Sequence, residues 1–182
     1  MKYYLGWPRL SILLLLLAVG ACSHSQNRKS AGTRTEGMTR EDYIEINRQR
    51  VNQEQDLIVH YLDTAGMDMQ RTATGLWYRI TEEGEGDYIV AGKAVSLNYE
   101  IRLLDGTLCY SSDEDGMKVF LVGQGGVESG LEEGVLLLKQ GSKATFLMPP
   151  HLAHGLVGDD DRIPARAILK YKVEVVDVKN KN

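Results

Sequence analysis

Two histidines three residues apart, His151 and His154, have the type and spacing of a metal-ligand pair. They follow two prolines in a segment without cysteine, so the sequence offers only these two ligands there. Zinc sites use three or four ligands within tetrahedral reach. We therefore expect no metal site at this pair.

Four other short segments or residues suggest a functional site, but each lacks residues that such a site requires. Residues 113–116 resemble the middle of a calcium loop without its remaining ligands, so we expect a solvated turn. Residues 123–126 are rich in glycine, but no Lys-Ser or Lys-Thr follows at the spacing of a phosphate loop. Cys109 as a nucleophile would need a base and an orienting partner, and its strand context favours a buried apolar residue. The aspartates at 159–161 are expected at an exposed loop tip.

The charge balance argues against nucleic acid as a partner. The 182 residues include 25 acidic and 21 basic side chains, for a formal net charge of −4. Binding to phosphates needs a basic face instead. The two cysteines are Cys22 and Cys109, and we expect no intrachain disulfide if Cys22 carries a lipid.

The N-terminus has the parts of a secretion signal. Lys2 and Arg9 supply positive charge, and residues 10–18 form an apolar run too short to span a bilayer. The small residues of Val19-Gly-Ala-Cys22 follow. This segment resembles the lipobox of bacterial lipoproteins, which implies a signal peptide over 1–21, lipidation of Cys22 and a membrane anchor. An uncleaved anchor, or an ordinary signal with an accidental cysteine, is the alternative.

The segment after Cys22 bears on location and flexibility. Ser23 follows the cysteine, and resemblance to lipoprotein sorting rules then implies the outer membrane of a bacterial envelope, facing the periplasm. Residues 22–38 are rich in Ser, Gly, Thr, Asn and Arg. Because such a segment buries too little apolar surface to fold, we expect a flexible tether.

Residues 39–66 predict a helical extension. Thr39 and Asp42 have the spacing of a capping box, and Gly66 is a suitable stop. The apolar stripe is thin and has near-heptad spacing: Ile44, Val51, Ile58 and Leu62. A coiled coil needs two apolar residues per heptad, so we favour a mostly solvated helix that docks one edge on the domain. Homodimerisation through this helix is the alternative.

The remaining residues, 67–182, predict one folded domain. Alternating apolar and polar residues indicate strands near 76–80, 94–103, 118–122, 143–148 and 167–178. Asp105-Gly106 is typical of a hairpin turn, and residues 130–138 predict one short helix. The connections are too short for parallel crossovers, so the pattern indicates an α+β fold with five or six antiparallel strands.

A series of short motifs runs in order along residues 74–177. They are Thr74-Gly-Leu-Trp-Tyr78, Gly84-Glu-Gly86, Val95-Ser-Leu-Asn-Tyr99, Asp105-Gly106, Ser111-Ser112, Gly123-Gln124, Val127, Gly130-Leu-Glu-Glu-Gly134, Gly141, Pro149, Ala153-His-Gly155, Ile163-Pro164 and Val173-Glu-Val175. Together they resemble the FKBP-type peptidyl-prolyl cis-trans isomerases, especially membrane-attached bacterial members with a helical extension. The resemblance implies a twisted antiparallel half-barrel sheet wrapped around one short helix and preceded by an N-terminal helix.

The activity that the resemblance implies needs no cofactor or metal. Rotation about a peptide bond costs ~18–20 kcal/mol because amide resonance is lost. A tertiary X–Pro amide populates both isomers but exchanges them slowly. An apolar pocket for the proline ring, with donors that hold the twisted carbonyl, lowers that barrier. The expected substrates are proline-containing segments of exported proteins, whose folding the enzyme would assist.

Four family positions keep suitable chemistry, and a fifth keeps its backbone donor. The resemblance implies aromatic walls at Tyr99 and Tyr171 and aliphatic walls at Val127 and Ile163. It also implies that the backbone N–H of Glu128 donates to the ligand carbonyl. An acidic side chain at this position, where the family has an aliphatic one, costs the rim apolar surface.

Other positions depart from the family pattern. Cys109 replaces a wall aromatic, Tyr110 replaces the neighbouring acid, and Met117 or Lys118 stands where another aromatic is usual. Leu131 replaces the aromatic floor, and His154 replaces a tyrosine that donates to the substrate carbonyl. Neutral imidazole still has one N–H to donate. We expect weakened activity, with Tyr110 supplying part of the aromatic surface lost at Cys109.

The predicted site therefore consists of nine residues: Tyr99, Cys109, Tyr110, Val127, Glu128, Leu131, His154, Ile163 and Tyr171. The altered walls also favour two alternatives to catalysis. One is a weak or inactive module that binds a protein partner in an envelope assembly, as in similar gliding-motility lipoproteins. The other is a general chaperone that binds apolar segments through the loop 151–164.

Overall fold

A computed structural model describes residues 38–180 of the chain. The predicted signal peptide, Cys22 and nearly all of the predicted tether lie outside the described residues. Three helices and one short 3-10 turn are present in the described range: α1 (Arg40–Ala65), α2 (Ser112–Asp115), α3 (Ser129–Val135) and the 3-10 turn Pro150–Leu152. None of the helices within 38–180 is long and apolar enough to cross a membrane.

Helix α1 begins and ends where its sequence predicts. Thr39 accepts a hydrogen bond from the Asp42 backbone, while the Asp42 carboxylate accepts one from the Thr39 backbone at 2.8 Å. These reciprocal bonds form a capping box and satisfy two amide groups that the first turn leaves free. Gly66 ends the helix in the left-handed region, at a φ of 60°, which glycine adopts without steric cost.

Only the C-terminal half of α1 docks on the sheet. Ile58 and Leu62 are buried in a small core cluster, whereas Ile44 and Val51 of the same predicted stripe are exposed. The rest of that cluster comprises Met69, Leu147 and Ile168, with Tyr61, Met67, Trp77 and Leu104 around it. Glu54 adds a salt bridge to Arg166, which lies in the loop before the last strand. The largely solvated helix favoured above agrees with this arrangement.

Seven strands form one antiparallel sheet. Their bounds are β1 (Gln70–Arg71), β2 (Trp77–Glu82), β3 (Lys93–Leu103), β4 (Leu108–Ser111), β5 (Lys118–Leu121), β6 (Lys143–Met148) and β7 (Leu169–Asn180). The strand order is β1-β2-β6-β7-β3-β4, and β5 also pairs with β3. The predicted α+β fold is confirmed, but the strand count of five or six was too low. The two-residue β1 is too short to show an alternating pattern.

Helix α3 packs closely on one face of the sheet because two of its residues are glycines. A Cβ atom on Gly134 would lie 2.7 Å from Phe146 of β6, and one on Gly130 would lie 2.9 Å from the Met148 sulfur. Successive side chains of a strand point to opposite faces. Leu147, between Phe146 and Met148, accordingly belongs to the cluster under α1. Strand β6 is therefore covered by α3 on one face and by α1 on the other.

The acidic segment 113–116 differs from the expected turn. Residues Ser112–Asp115 form the single helical turn α2, and the Ser111 side chain accepts a hydrogen bond from the Glu114 backbone. Three acids in the first turn favour this conformation, because negative charge is stabilised at a helix N-terminus. The turn lies between β4 and β5, next to the cavity described below.

Candidate functional site

A cavity of about 450 Å³ opens where three strands meet the start of α3. Tyr99 and Ile101 come from β3, Tyr110 from β4 and Lys118 from β5. The full lining is Tyr99, Ile101, Tyr110, Asp115, Lys118, Glu128, His154 and Asp159. The antiparallel pairing of β3 with β4 and β5 brings these side chains to one end of the sheet.

The nine predicted site residues separate into two groups. Tyr99, Tyr110, Glu128 and His154 line the cavity, and Val127 lines an adjoining groove with Glu128 and His154. The other four are buried in the main core and do not line the cavity: Cys109, Leu131, Ile163 and Tyr171. We call these four buried residues the base of the predicted site, and the residues that line the cavity its mouth.

Glu128 joins the mouth to the base through three contacts. Its carboxylate accepts a hydrogen bond from the buried Tyr171 hydroxyl. The His154 Nε2 atom lies 3.1 Å from one carboxylate oxygen of Glu128, and the Lys118 Nζ atom lies 3.4 Å from the other. The Glu128 side chain is only 9% exposed, so these contacts replace most of its hydration.

The network changes the acidity of its members. Burial opposes ionisation of Glu128, but the Lys118 ammonium and the Tyr171 hydroxyl outweigh it, and the pKa of this carboxyl is lowered. Burial and the neighbouring Glu128 charge raise the pKa of Tyr171 well above its ordinary value. Glu128 is therefore ionised and Tyr171 is a neutral donor at neutral pH.

Lys118, rather than Met117, faces the cavity. Met117 is exposed, whereas Lys118 is one of the lining residues. The Lys118 ammonium lies 5.0 Å from the Tyr99 ring centroid and 5.7 Å from that of Tyr171. Both distances lie within the range of cation–π attraction.

Asp159 lines the cavity, so the predicted exposed position is wrong for this residue. It is not at an exposed tip, because its carboxylate accepts a 2.5 Å hydrogen bond from the Tyr110 hydroxyl and one from the Ile163 backbone. Partial burial opposes its ionisation, but these donors lower the pKa of Asp159 to about 2. The same bond raises the pKa of Tyr110 to about 12. The loop thus supplies a carboxylate next to the position where Tyr110 replaces the family's acid.

The backbone N–H of Glu128 belongs to a residue that lines the cavity. It precedes the first turn of α3 and makes no hydrogen bond to any other residue in the described part of the chain. The Tyr99 ring and the His154 side chain line the same cavity. An apolar ring could therefore contact Tyr99 while a carbonyl accepts a bond from this N–H group.

The cysteine and the histidine pair do not form a nucleophilic or metal-binding centre in the described part of the chain. Cys109 is a free, buried cysteine, and burial followed by the nearby Asp159 charge raises the pKa of its thiol, which disfavours the thiolate. His151 lies 3.0 Å from the Thr74 carbonyl, whereas His154 contacts Glu128, so the two histidines have different partners. Within residues 38–180 no cluster of three or more potential metal ligands occurs.

Comparison with known proteins identifies what the chain is similar to. A family model described as FKBP-type peptidyl-prolyl cis-trans isomerase matches residues 86–176. A probable FKBP-type peptidyl-prolyl cis-trans isomerase FkpA of Neisseria meningitidis serogroup B is 41% identical over 111 residues, covering 60% of this chain and 40% of that protein. A probable isomerase of the same type from Haemophilus influenzae is 37% identical over 118 residues, covering 64% of this chain and 48% of that protein.

Solved structures agree with these matches. The crystal structure of FkpA from Escherichia coli aligns with a TM-score of 0.62 at 28% identity, covering 76% of this chain and 65% of that one. The crystal structure of AtFKBP13 aligns with a TM-score of 0.58 at 26% identity, covering 60% of this chain and 98% of that one. The match spans less than half the length of the two curated relatives named above.

Proposed function

Because the chain belongs to the FKBP-type peptidyl-prolyl cis-trans isomerase family, we propose that its C-terminal domain, residues 67–182, catalyses cis–trans isomerisation of X–Pro bonds. The substrates would be proline-containing segments of unfolded or flexible polypeptides. No cofactor is needed, because the reaction breaks no covalent bond.

The observation that carries this proposal is the Glu128 N–H, which bonds to no other residue of the described range, at the cavity that Tyr99 also lines. A proline ring against Tyr99 would leave the carbonyl of the preceding residue free to accept from that N–H. This N–H group lowers the rotational barrier only if it meets the carbonyl oxygen in its rotated position, because a bond to the planar amide stabilises the ground state instead. The His154 imidazole is a second candidate donor, although its Nε2 atom contacts Glu128 in this structure.

The polar mouth predicts a modest rate. Leu131 at the base and Glu128 at the mouth offer a proline ring less apolar surface than the aromatic and aliphatic residues of the family pattern. Tyr110 compensates in part, because its ring lines the cavity and packs against the main core. The prediction that Tyr110 replaces aromatic surface lost at Cys109 is consistent with this position.

The test follows cis-to-trans relaxation of short X–Pro peptides with the full-length chain in a nonionic detergent. We expect acceleration over the uncatalysed rate, most of which is lost in Tyr99→Ala and part of which is lost in His154→Ala. Tyr43→Ala, at an exposed tyrosine of α1, is the matched control and should keep the full rate. A folded chain that accelerates no peptide would contradict the proposal.

The second candidate function is a module that binds a protein partner in an envelope assembly. The charged groups at the cavity mouth favour it, because such groups commonly supply specificity in protein recognition. Affinity capture from envelope extracts, with Glu128→Ala as the comparison, distinguishes the two. A partner that is lost with Glu128→Ala, from a chain without isomerase activity, would favour the module. A chaperone role for the loop 151–164 stays a prediction, supported by the exposed Leu156 and Val157.

We also propose that the domain is held at a bacterial envelope by lipid on Cys22 and assists the folding of exported proteins. The lipobox-like sequence and the bacterial relatives support this location, with the outer membrane and a periplasm-facing domain as the expected site. Incorporation of labelled palmitate should be lost in Cys22→Ser and kept in Cys109→Ser. Labelling that persists in Cys22→Ser would contradict the anchor.

Homodimerisation through α1 stays the alternative for the oligomeric state. The exposed Ile44 and Val51 support it, because an apolar stripe on a solvated helix can pair with a second copy. Sedimentation of the full-length chain tests it. A dimer that dissociates in Ile44→Glu would support the alternative, and a monomer would contradict it.

A further inference from the structure

The cavity carries more acidic than basic side chains. Asp115, Glu128 and Asp159 line it, and Lys118 is the only lysine or arginine among the lining residues. His154 also faces it and contacts Glu128. A recess with one excess sign of charge focuses the field and attracts ligands of the opposite sign.

Both tyrosine rings that line the cavity already hold a cation of the chain itself. The Lys118 ammonium lies 5.0 Å from the Tyr99 ring centroid, and the Arg162 guanidinium lies 5.1 Å from that of Tyr110. Each cation also contacts a carboxylate, Glu128 for Lys118 and Glu114 for Arg162. Aromatic faces combined with carboxylates are the chemistry that recognises ammonium and guanidinium groups.

We propose that this cavity selects polypeptide segments in which Lys or Arg immediately precedes the proline, and that Lys118 competes with the incoming cation. The choice of proline-containing segments rests on the proposed function. The Cα atom of that preceding residue lies about 3.8 Å from the proline Cα in the trans isomer and about 2.9 Å in the cis isomer, so its side chain is held near the cavity mouth when the proline is bound.

The position of the acidic side chains explains why the cavity would prefer a positive charge on the substrate residue before the proline. Asp115 and Asp159 have no lysine of the cavity within salt-bridge distance, whereas Lys118 pairs with Glu128. A substrate cation would therefore gain from these two carboxylates, while the positive charge of Lys118 at the same cavity reduces that gain. A glutamate before the proline would meet the same two charges and be repelled.

The experiment compares three peptides that differ only at the residue before proline: lysine, its uncharged analogue norleucine, and glutamate. Binding of fluorescently labelled peptides to the full-length chain in a nonionic detergent is followed by anisotropy. We expect the lysine peptide to bind about fivefold more tightly than the norleucine peptide at low salt, and the glutamate peptide to bind most weakly. At about 0.5 M salt the difference should shrink, because screening shortens the reach of exposed charges.

Variants assign the preference to particular residues. Asp159→Asn and Asp115→Asn should each bring the lysine-to-norleucine affinity ratio closer to one. Asp113→Asn is the matched control, because Asp113 belongs to α2 but does not line the cavity. Lys118→Met should increase the ratio, since it removes the competing cation. Circular dichroism is used to check that each variant is folded. If Asp159→Asn disrupts its loop, Asp115→Asn still tests the contribution of the carboxylates.

The outcomes separate this inference from the proposed function. Equal affinity for lysine and norleucine at low salt, or an effect of Asp113→Asn as large as that of Asp159→Asn, would overturn charge selection. Acceleration of all peptides with equal affinities would retain the isomerase and overturn only the selection. A lysine preference that Asp115→Asn weakens, without acceleration of any peptide, would retain the selection and remove the proposed function.

Discussion

Leu131 and Glu128 lie three residues apart at the start of α3, yet one belongs to the apolar base of the site and the other to its polar mouth. Leu131 is fully buried in the main core, together with Tyr171 and Ile163. The Glu128 side chain is 9% exposed, and its carboxylate is held by a hydroxyl, an imidazole and an ammonium. The base depends on the fit of apolar side chains, whereas the mouth depends on the pairing of polar groups.

Different factors limit the substitutions that the base and the mouth can accept. A base residue is constrained by volume, since the neighbours of a deleted group cannot fully close the space. A mouth residue is constrained by its partners, because each buried polar group must keep a hydrogen bond. Substitutions at the mouth can therefore alter its charge without altering the fold, provided that the substituted polar side chains form hydrogen bonds with one another.

The largest expected effect is at the base. Leu131→Ala should lower the free energy of unfolding by about 2–5 kcal/mol, because it removes buried methyl groups and leaves a cavity. Leu136→Ala, at the exposed residue that follows this helix, should cost less than about 0.5 kcal/mol. Urea unfolding of both variants measures the difference. Equal losses would mean that the base is not packed as a core.

A smaller effect is expected at the mouth. Glu128→Ala should lower the free energy of unfolding by about 1–3 kcal/mol, since the buried Tyr171 hydroxyl loses its acceptor. Glu128→Gln is the matched control, because its amide oxygen still accepts from Tyr171, and it should lose less. Thermal and urea unfolding test this order. An equal loss in Glu128→Gln would show that the charge pairing with Lys118 matters more than the hydrogen bond from Tyr171.

The smallest effect concerns stability in acid. The folded pKa of Asp159, about 2, is below its ordinary value of 3.8, so its contribution is complete above about pH 4 and is lost as the pH falls through about 2. Tyr110→Phe removes one of the donors that lower this pKa and should reduce the fall in stability between about pH 5 and pH 2. Urea unfolding at several pH values measures the slope. The exposed Tyr43→Phe should leave the slope unchanged, and an unchanged slope in Tyr110→Phe would contradict the assignment.

The elements of the fold could be predicted because their signals are local. The capping box of Thr39 and Asp42, the stop at Gly66 and the alternation along β3 and β7 all depend on residues a few positions apart. The number of strands was less certain, because β1 has only two residues and pairs through tertiary contacts. The sequence predicted that α1 docks one edge on the domain. It did not reveal which part of the apolar stripe contacts the sheet.

The sequence by itself determined the order of the elements, their antiparallel pairing and the residue types gathered around the predicted site. Only the tertiary structure decided which of them face the cavity and which are buried below it. Asp159 and Tyr110 are 49 residues apart, and Lys118, Glu128 and Tyr171 come from three different elements. Local sequence specifies a helix or strand through neighbouring residues, but the partner of a polar side chain depends on strand register and loop path, which the whole chain sets.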